Sequence, residues 1–235
     1  MRALAVFPSS KDIRVVDHPE PRLERPSEIL ARVLEVGICG TDREIARFEY
    51  GTPPPGQDYL VLGHESLVEV LEVGDDVTDL GAGDLAVPMV RRPCTSKACI
   101  ACRSNRADFC LTGEYEERGI VRRHGYMAER IVDDAQWFVR VPPELREVGV
   151  LVEPMTVGAK AMIEAAGMMG SLPWLTDSAS EHRAKAVIIG AGAVGLLAAM
   201  TLRSRGFETW LWSLEPEGSP QGRLIEATGG HYRST

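Results

Sequence analysis

The sequence predicts a mixed β and α/β fold, a β-rich domain followed by the first part of a doubly wound parallel sheet. Three observations carry this. Up to about residue 150, short β-like runs are broken by Gly, Pro and Asp. Near residue 153 the character changes, and Thr156–Met169 reads as a helix rich in Ala, Lys, Met and Glu. An apolar strand, a glycine-rich turn and a second helix then follow in that order.

The elements follow along the chain. Ile29–Val36, Leu67–Val73 and Leu85–Pro88 alternate or form brief apolar runs, as strands of a compact β domain do. Gly74-Asp75-Asp76 and Gly81-Ala82-Gly83-Asp84 supply turns between them. Gly170-Ser171-Leu172-Pro173 stops the first long helix. The polar segment Asp177–Arg183 links it to Lys185–Ile189, a short buried strand. Gly190–Gly195 turns the chain into a helix led by Leu196-Leu197-Ala198-Ala199-Met200, and Thr209–Trp212 is the next strand. This divides the chain into residues 1–170, a metal-binding catalytic domain, and residues 171–235, an incomplete nucleotide-binding domain. There is no repeat and no low-complexity tract.

Composition narrows the function. A hydrophobic content of 44% with 26% charged residues is that of an ordinary globular protein. A net charge of -8 argues against nucleic-acid partners, which require a basic face. No apolar run approaches the roughly 20 residues of a membrane span. The N-terminus meets Pro8 too soon for a secretory core, which places the expected location in the cytoplasm. In that compartment, clustered cysteines read as metal ligands rather than disulfides.

Four of the five cysteines, Cys94, Cys99, Cys102 and Cys110, are spaced C-x4-C-x2-C-x7-C. Four thiolates in one short loop are the ligand set of a closed tetrahedral zinc site, which contributes folding energy and leaves no position open for chemistry. Cys99-Ile100-Ala101-Cys102 forms the knuckle, with Cys94 before it and Cys110 closing the loop.

The fifth, Cys39, lies in Gly37-Ile38-Cys39-Gly40-Thr41-Asp42 and is followed by Gly63-His64-Glu65. Thiolate plus imidazole plus an acid suits a catalytic zinc, which keeps one position for water or substrate. Glu65 and Glu153 are both candidates for the acidic ligand. Glu153 sits in Leu151-Val152-Glu153-Pro154, where a carboxylate is costly unless paired or bound to a cation. Zinc lowers the pKa of a bound alcohol, and the Thr41 hydroxyl is placed to pass the proton outward.

The turn Gly190-Ala191-Gly192-Ala193-Val194-Gly195 has the G-x-G-x-x-G form and the strand-before, helix-after context of a dinucleotide site. Its glycines allow the tight turn and let a pyrophosphate approach the helix N-terminus. Glu215, twenty residues after Gly195, is placed to bond the ribose 2′-hydroxyl and so to favour NAD over NADP, although Arg223 lies close in sequence.

Taken together these segments resemble the zinc-containing medium-chain dehydrogenases of the alcohol dehydrogenase type, in their glucose dehydrogenase branch. Besides the two metal motifs, the resemblance rests on Pro88–Pro93, Glu117–Val121, His124–Glu129 and Leu151–Val157 with Lys160-Ala161. It implies a GroES-like catalytic domain followed by a Rossmann domain. It also implies that Cys39, His64 and Glu153 hold the catalytic zinc, with Glu65 an exchanging or outer ligand. Glu117 then meets sugar hydroxyls, beside Thr41 and Glu153, and hydride moves from C1 of β-D-glucose to NAD or NADP, giving the lactone. A homo-oligomer is implied for the family's chains, which run well past residue 235. The later sheet strands and part of the nicotinamide pocket are therefore expected to be missing, and this chain alone is expected to turn over little. A polyol or threonine dehydrogenase of the same superfamily, and a non-catalytic zinc-binding remnant, are the competing readings.

Overall fold

A computed structural model of the protein describes residues 1–170 and 184–235. The linker at 177–183 and the last part of the expected helix stop at 171–173 lie outside the described residues. The chain forms two compact units, Met1–Leu151 and Val152–Thr235. The sequence-based division is at 170/171, but the helix Val152–Met169 packs on the helix Ala193–Ser204 of the second unit and so groups with it.

In the first unit, β1 (Arg2–Phe7) forms an antiparallel hairpin with β2 (Asp12–Asp17). The long β3 (Glu28–Gly37) is followed by α1 (Gly40–Ala46) and the short β4 (Leu60–Val61), which completes a sheet of order β2-β1-β4. Next come β5 (Glu65–Val73), β6 (Leu85–Pro88) and β7 (Arg91–Arg92). After α2 (Ile100–Arg103), the chain forms β8 (Glu116–Arg118), β9 (Arg122–Arg123), β10 (Arg130–Asp134) and β11 (Phe138–Val141). The largest sheet has the order β10-β3-β5-β6-β11. Its inner face carries Ile29, Ala31, Val68, Val70 and Ala86, closed by the fully buried Tyr126. A second core joins Val6, Ile45, Leu60, Leu62 and Ile120.

The second unit begins with α3 (Val152–Met169) and continues through β12 (Lys185–Ile189), α4 (Ala193–Ser204) and β13 (Glu208–Ser213). It ends with α5 (Pro220–Ala227) and β14 (His231–Ser234). The three strands are parallel in the order β12-β13-β14. Ala199 of α4 and Ile225 of α5 meet Leu211 and Tyr232 on one face of the sheet. Sequence reading had only two of these strands. The residues His231-Tyr232-Arg233-Ser234 are too few and too polar to announce a strand without their parallel partner.

Among the described residues no helix is long and apolar enough to cross a membrane.

Candidate metal centres and nucleotide turn

The Cys39 centre is built by one helix start and one strand start. Cys39 caps α1 with extended backbone, and its N–H donates to Asp42 Oδ2 at 2.9 Å. His64 and Glu65 stand at the entry to β5, where Glu65 pairs in register with Gly37. Ligand atoms of Cys39, His64 and Glu65 all lie within 4.8 Å of one another. A side chain on Gly37 would run into the Glu65 carboxylate, so the missing Cβ is what lets Glu65 lie over β3.

Asp42 ties this centre together, a residue that sequence reading passed over. Its other oxygen, Oδ1, stands 3.5 Å from His64 Nδ1, within ion-pair reach though long for a hydrogen bond. Both groups are buried, and neither atom has a hydrogen-bond partner among the described residues. Burial alone would lower the His64 pKa, but the Asp42 carboxylate and Cys39 outweigh it and hold the imidazole at about 9. With Nδ1 facing the Asp42 carboxylate, Nε2 is the ring nitrogen a metal would take by displacing its proton, the usual orientation of a metal-bound histidine. A half-buried thiol, a buried imidazole and a half-buried carboxylate so close together fit zinc's preference for mixed S, N and O donors. The signal in the sequence was an acid three residues after the cap position Cys39, the spacing of a capping box.

The turn carrying His64 is held from behind by glycines. Gly63 takes a left-handed φ of +87°. Tyr126 N–H donates to its carbonyl at 2.9 Å, and Gly125 N–H donates to Val61 O at 2.8 Å. A Cβ on Gly125 or Gly119 would strike the Gly63 backbone, which is rigid rather than a flexible side-chain tip. Gly125→Ala is therefore expected to push back the 62–64 turn, costing about 1–3 kcal/mol as overpacking does. It should lower zinc occupancy at the Cys39 centre, while the four-cysteine lobe keeps its metal. Metal content and thermal melting of the variant check this.

In the cysteine lobe, Cys99 caps α2, Cys102 lies within it, and Cys110 follows the short turn Ala107–Phe109. The sulfurs of Cys94, Cys99, Cys102 and Cys110 all lie within 4.8 Å of one another, and Cys99 and Cys110 are 3.9 Å apart. None of the four is in a disulfide. A tetrahedral centre with bonds near 2.3 Å spaces its sulfurs about 3.8 Å apart, so the set fits zinc. Backbone N–H groups of Cys102 and Leu111 lower the pKa of Cys99, and the Thr112 hydroxyl leads in holding Cys110 at about 6. Burial pushes the Cys102 thiol up to about 12, a cost that a central cation would reverse.

The remaining expected site residues lie on three different elements. Thr41 is on the first turn of α1, two residues after Cys39. Glu117 lies in β8, paired with Arg91 at 2.7 Å, and Arg91 in turn stacks over Tyr115. Glu153 stands on the first turn of α3, in the second unit.

In the nucleotide turn Gly190 has φ +102° and donates its N–H to Trp212 O at 2.8 Å. Gly192 caps α4, and a Cβ on Gly195 would meet the Gly190 carbonyl. Ala191 N–H donates to Ser213 Oγ at 3.2 Å, and that hydroxyl donates to the Glu215 carboxylate. The Ser213 hydroxyl lowers the pKa of Glu215, keeping it ionised. Ser213 thus links the turn to the acid at the end of β13. Arg223 donates to the Gly218 carbonyl.

Two family descriptions match the chain: an alcohol dehydrogenase GroES-like domain over residues 25–143, and a glucose dehydrogenase C-terminus over residues 146–235. Glucose 1-dehydrogenase 1 of Vulcanisaeta moutnovskia is 40% identical over 237 residues, covering 100% of this chain and 65% of that protein. Glucose 1-dehydrogenase of Methanocella arvoryzae is 40% identical, covering 99% of this chain and 62% of its own length. The chain therefore spans slightly less than two thirds of these relatives. The structure of Haloferax mediterranei glucose dehydrogenase in complex with NADP, Zn and gluconolactone superposes with a TM-score of 0.81 at 32% identity, over 100% of this chain and 64% of that one.

Proposed function

The chain belongs to the zinc-containing medium-chain dehydrogenases with a GroES-like domain, in their glucose dehydrogenase-like branch, and we propose that it carries the zinc-binding and nucleotide-turn parts of an enzyme oxidising D-glucose at C1 to gluconolactone with NAD or NADP. The observation that carries the reading is the meeting of Cys39, His64 and Glu65 within 4.8 Å over a buried Asp42.

In this reading Cys39 and His64 hold the catalytic zinc, with Glu65 beside them as the exchanging or outer ligand. Zinc there supplies a Lewis acid that makes a bound sugar hydroxyl acidic near neutral pH. Asp42 fixes the His64 ring and, through the Cys39 N–H, the start of α1. Thr41 offers a hydroxyl to carry the sugar proton away from the centre. Glu117 accepts from sugar hydroxyls, and Arg91 holds its carboxylate in one position. The Cys94, Cys99, Cys102 and Cys110 lobe holds a second, structural zinc.

Gly190, Gly192 and Gly195 let a pyrophosphate approach the N-terminus of α4. Glu215 receives the ribose 2′-hydroxyl and repels a 2′-phosphate, so NAD is the favoured coenzyme. This differs from the Haloferax relative, whose complex holds NADP.

The test is metal analysis of the purified protein, titration of NAD and NADP binding, and a glucose oxidation assay using each coenzyme. Two zinc ions per chain, falling to one in His64→Ala, and Glu215→Ala losing its preference for NAD are the expected results. A single zinc in the parent, or turnover that survives His64→Ala, would overturn the reading.

A further inference from the structure

A cavity of about 370 Å³ lies in the first unit, and none of the residues assigned above to metal, sugar or coenzyme lines it. Its walls come from the segment after β2, the loop before β4 and residues 116–132. Arg118, Arg122, Arg123 and Arg130 line it together with the Met1 ammonium, against one lining carboxylate, Glu116. Two more acids reach it as partners, Asp133 for Arg118 and Arg123, and Glu20 for Arg130 and Met1. Five cations therefore face three carboxylates, a local positive excess in a chain of net charge -8.

The neutral groups on the wall also present donors. Val61 N–H donates to His124 Nδ1 at 3.1 Å, so the proton of this ring is on Nε2. Nε2 lies 2.6 Å from Gln57 Oε1, which leaves the Gln57 amide N–H groups to point elsewhere. His18 Nδ1 lies 2.9 Å from the Tyr59 hydroxyl. The tautomer in which Tyr59 donates to Nδ1 puts the His18 proton on Nε2, and it is this tautomer that the site would use. Burial, helped by its cationic neighbours, lowers the His124 pKa to about 4, and burial with the N-terminal charge lowers that of His18. Arg122 and Arg123 each keep a buried Nε–H with no acceptor among the described residues. Acceptors are in deficit here, and an unmet buried donor is a cost that proteins seldom carry.

We propose that this cavity is a binding site for a small oxyanion of the phosphate class, either free phosphate or the phosphoryl group of a phosphomonoester. Arg130 is the displaceable cation. Its ion pair with Glu20 is nearly half exposed on both sides, at 47% and 42%, and such pairs hold weakly. Arg118 is committed to Asp133, the His124 carbonyl and the Val132 carbonyl, and forms the fixed floor. Arg130, the Gln57 amide and His18 Nε2–H supply the contacts, with doubly charged phosphate favoured over chloride by the number of oxygens it brings.

The test is titration calorimetry of the purified protein with sodium phosphate at constant ionic strength. Saturable one-site binding is expected, about tenfold weaker in Arg130→Gln, as loss of one charge-assisted hydrogen bond implies. Gln57→Leu should weaken it too, while Arg32→Gln, which alters an exposed arginine paired with Glu69, should not. Arg130 and Gln57 are surface residues, so both variants keep the fold. Displacement of phosphate by glucose 6-phosphate would assign the site to phosphomonoesters, and phosphate binding without displacement would assign it to the free ion. The absence of saturable binding would overturn the proposal. So would binding that survives both cavity variants, or that falls equally in Arg32→Gln.

Discussion

Replacing Cys102 by serine is expected to destabilise the first unit severely while leaving the Cys39 centre chemically intact. Cys102 is buried in α2, and its sulfur lies within 4.8 Å of the other three thiols. The lobe around it has few apolar side chains of its own, since its buried members are Cys94, Cys99 and Cys102 with Ala101 and Ala107 packed beside them. Such a loop has little besides a metal to offset its conformational entropy. Loss of a structural metal ranks among the large single-residue effects, on the order of 4 kcal/mol or more. For a chain of this size, that corresponds to a melting point lower by about 10 °C. Zinc content should fall by one ion per chain. Cys39→Ser should also lose one zinc, but with a much smaller shift in melting, because an open site adds less to folding. Unchanged melting in Cys102→Ser despite lost zinc would show that the lobe is not a structural site.

The parts of this molecule legible in the sequence are those with local signatures. The alternation in Ile29–Val36 and Leu67–Val73 becomes two paired strands of the largest sheet, and Lys185–Ile189 is a strand with the same bounds, though half-buried to exposed rather than buried. The cysteine spacing and the glycine turn are also local, so their residues could be named in advance. What escaped depends on distant partners. Asp42 matters only because β5 returns to put His64 beside it. Gly119 and Gly125 matter because the chain passes behind Gly63. Ser213 matters because β13 ends beside the turn after β12, an adjacency that parallel pairing creates. Nothing local in residues 118–130 marks one arginine for burial, yet Arg118 is buried.

That burial leads to the second large effect, at Asp133. This carboxylate is 3% exposed and is held by Arg92 at 2.7 Å, by Arg118 and by Arg123 at 3.2 Å. Burial alone would raise its pKa, but Arg118, Arg92 and Arg123 outweigh that and hold it at about 2. The three arginines come from β7, β8 and β9, so one anion joins these three strands to β10. Asp133→Asn removes the charge and leaves three guanidinium groups together, two of them buried. The expected cost at neutral pH is about 3–5 kcal/mol, that of breaking a buried pair on one side. Acid should act on the same group. Its folded pKa lies below the ordinary carboxylate value near 4, so its contribution is full above that value and fades as pH falls toward 2. From the shift to about 2, this amounts to roughly 2 kcal/mol in the parent. Asp133→Asn should therefore be less stable at pH 7 and should lose less further stability between pH 4 and pH 2. Denaturant unfolding at these three pH values measures both effects. An acid limb equally steep in variant and parent would mean that Asp133 does not carry the charge holding this arginine cluster.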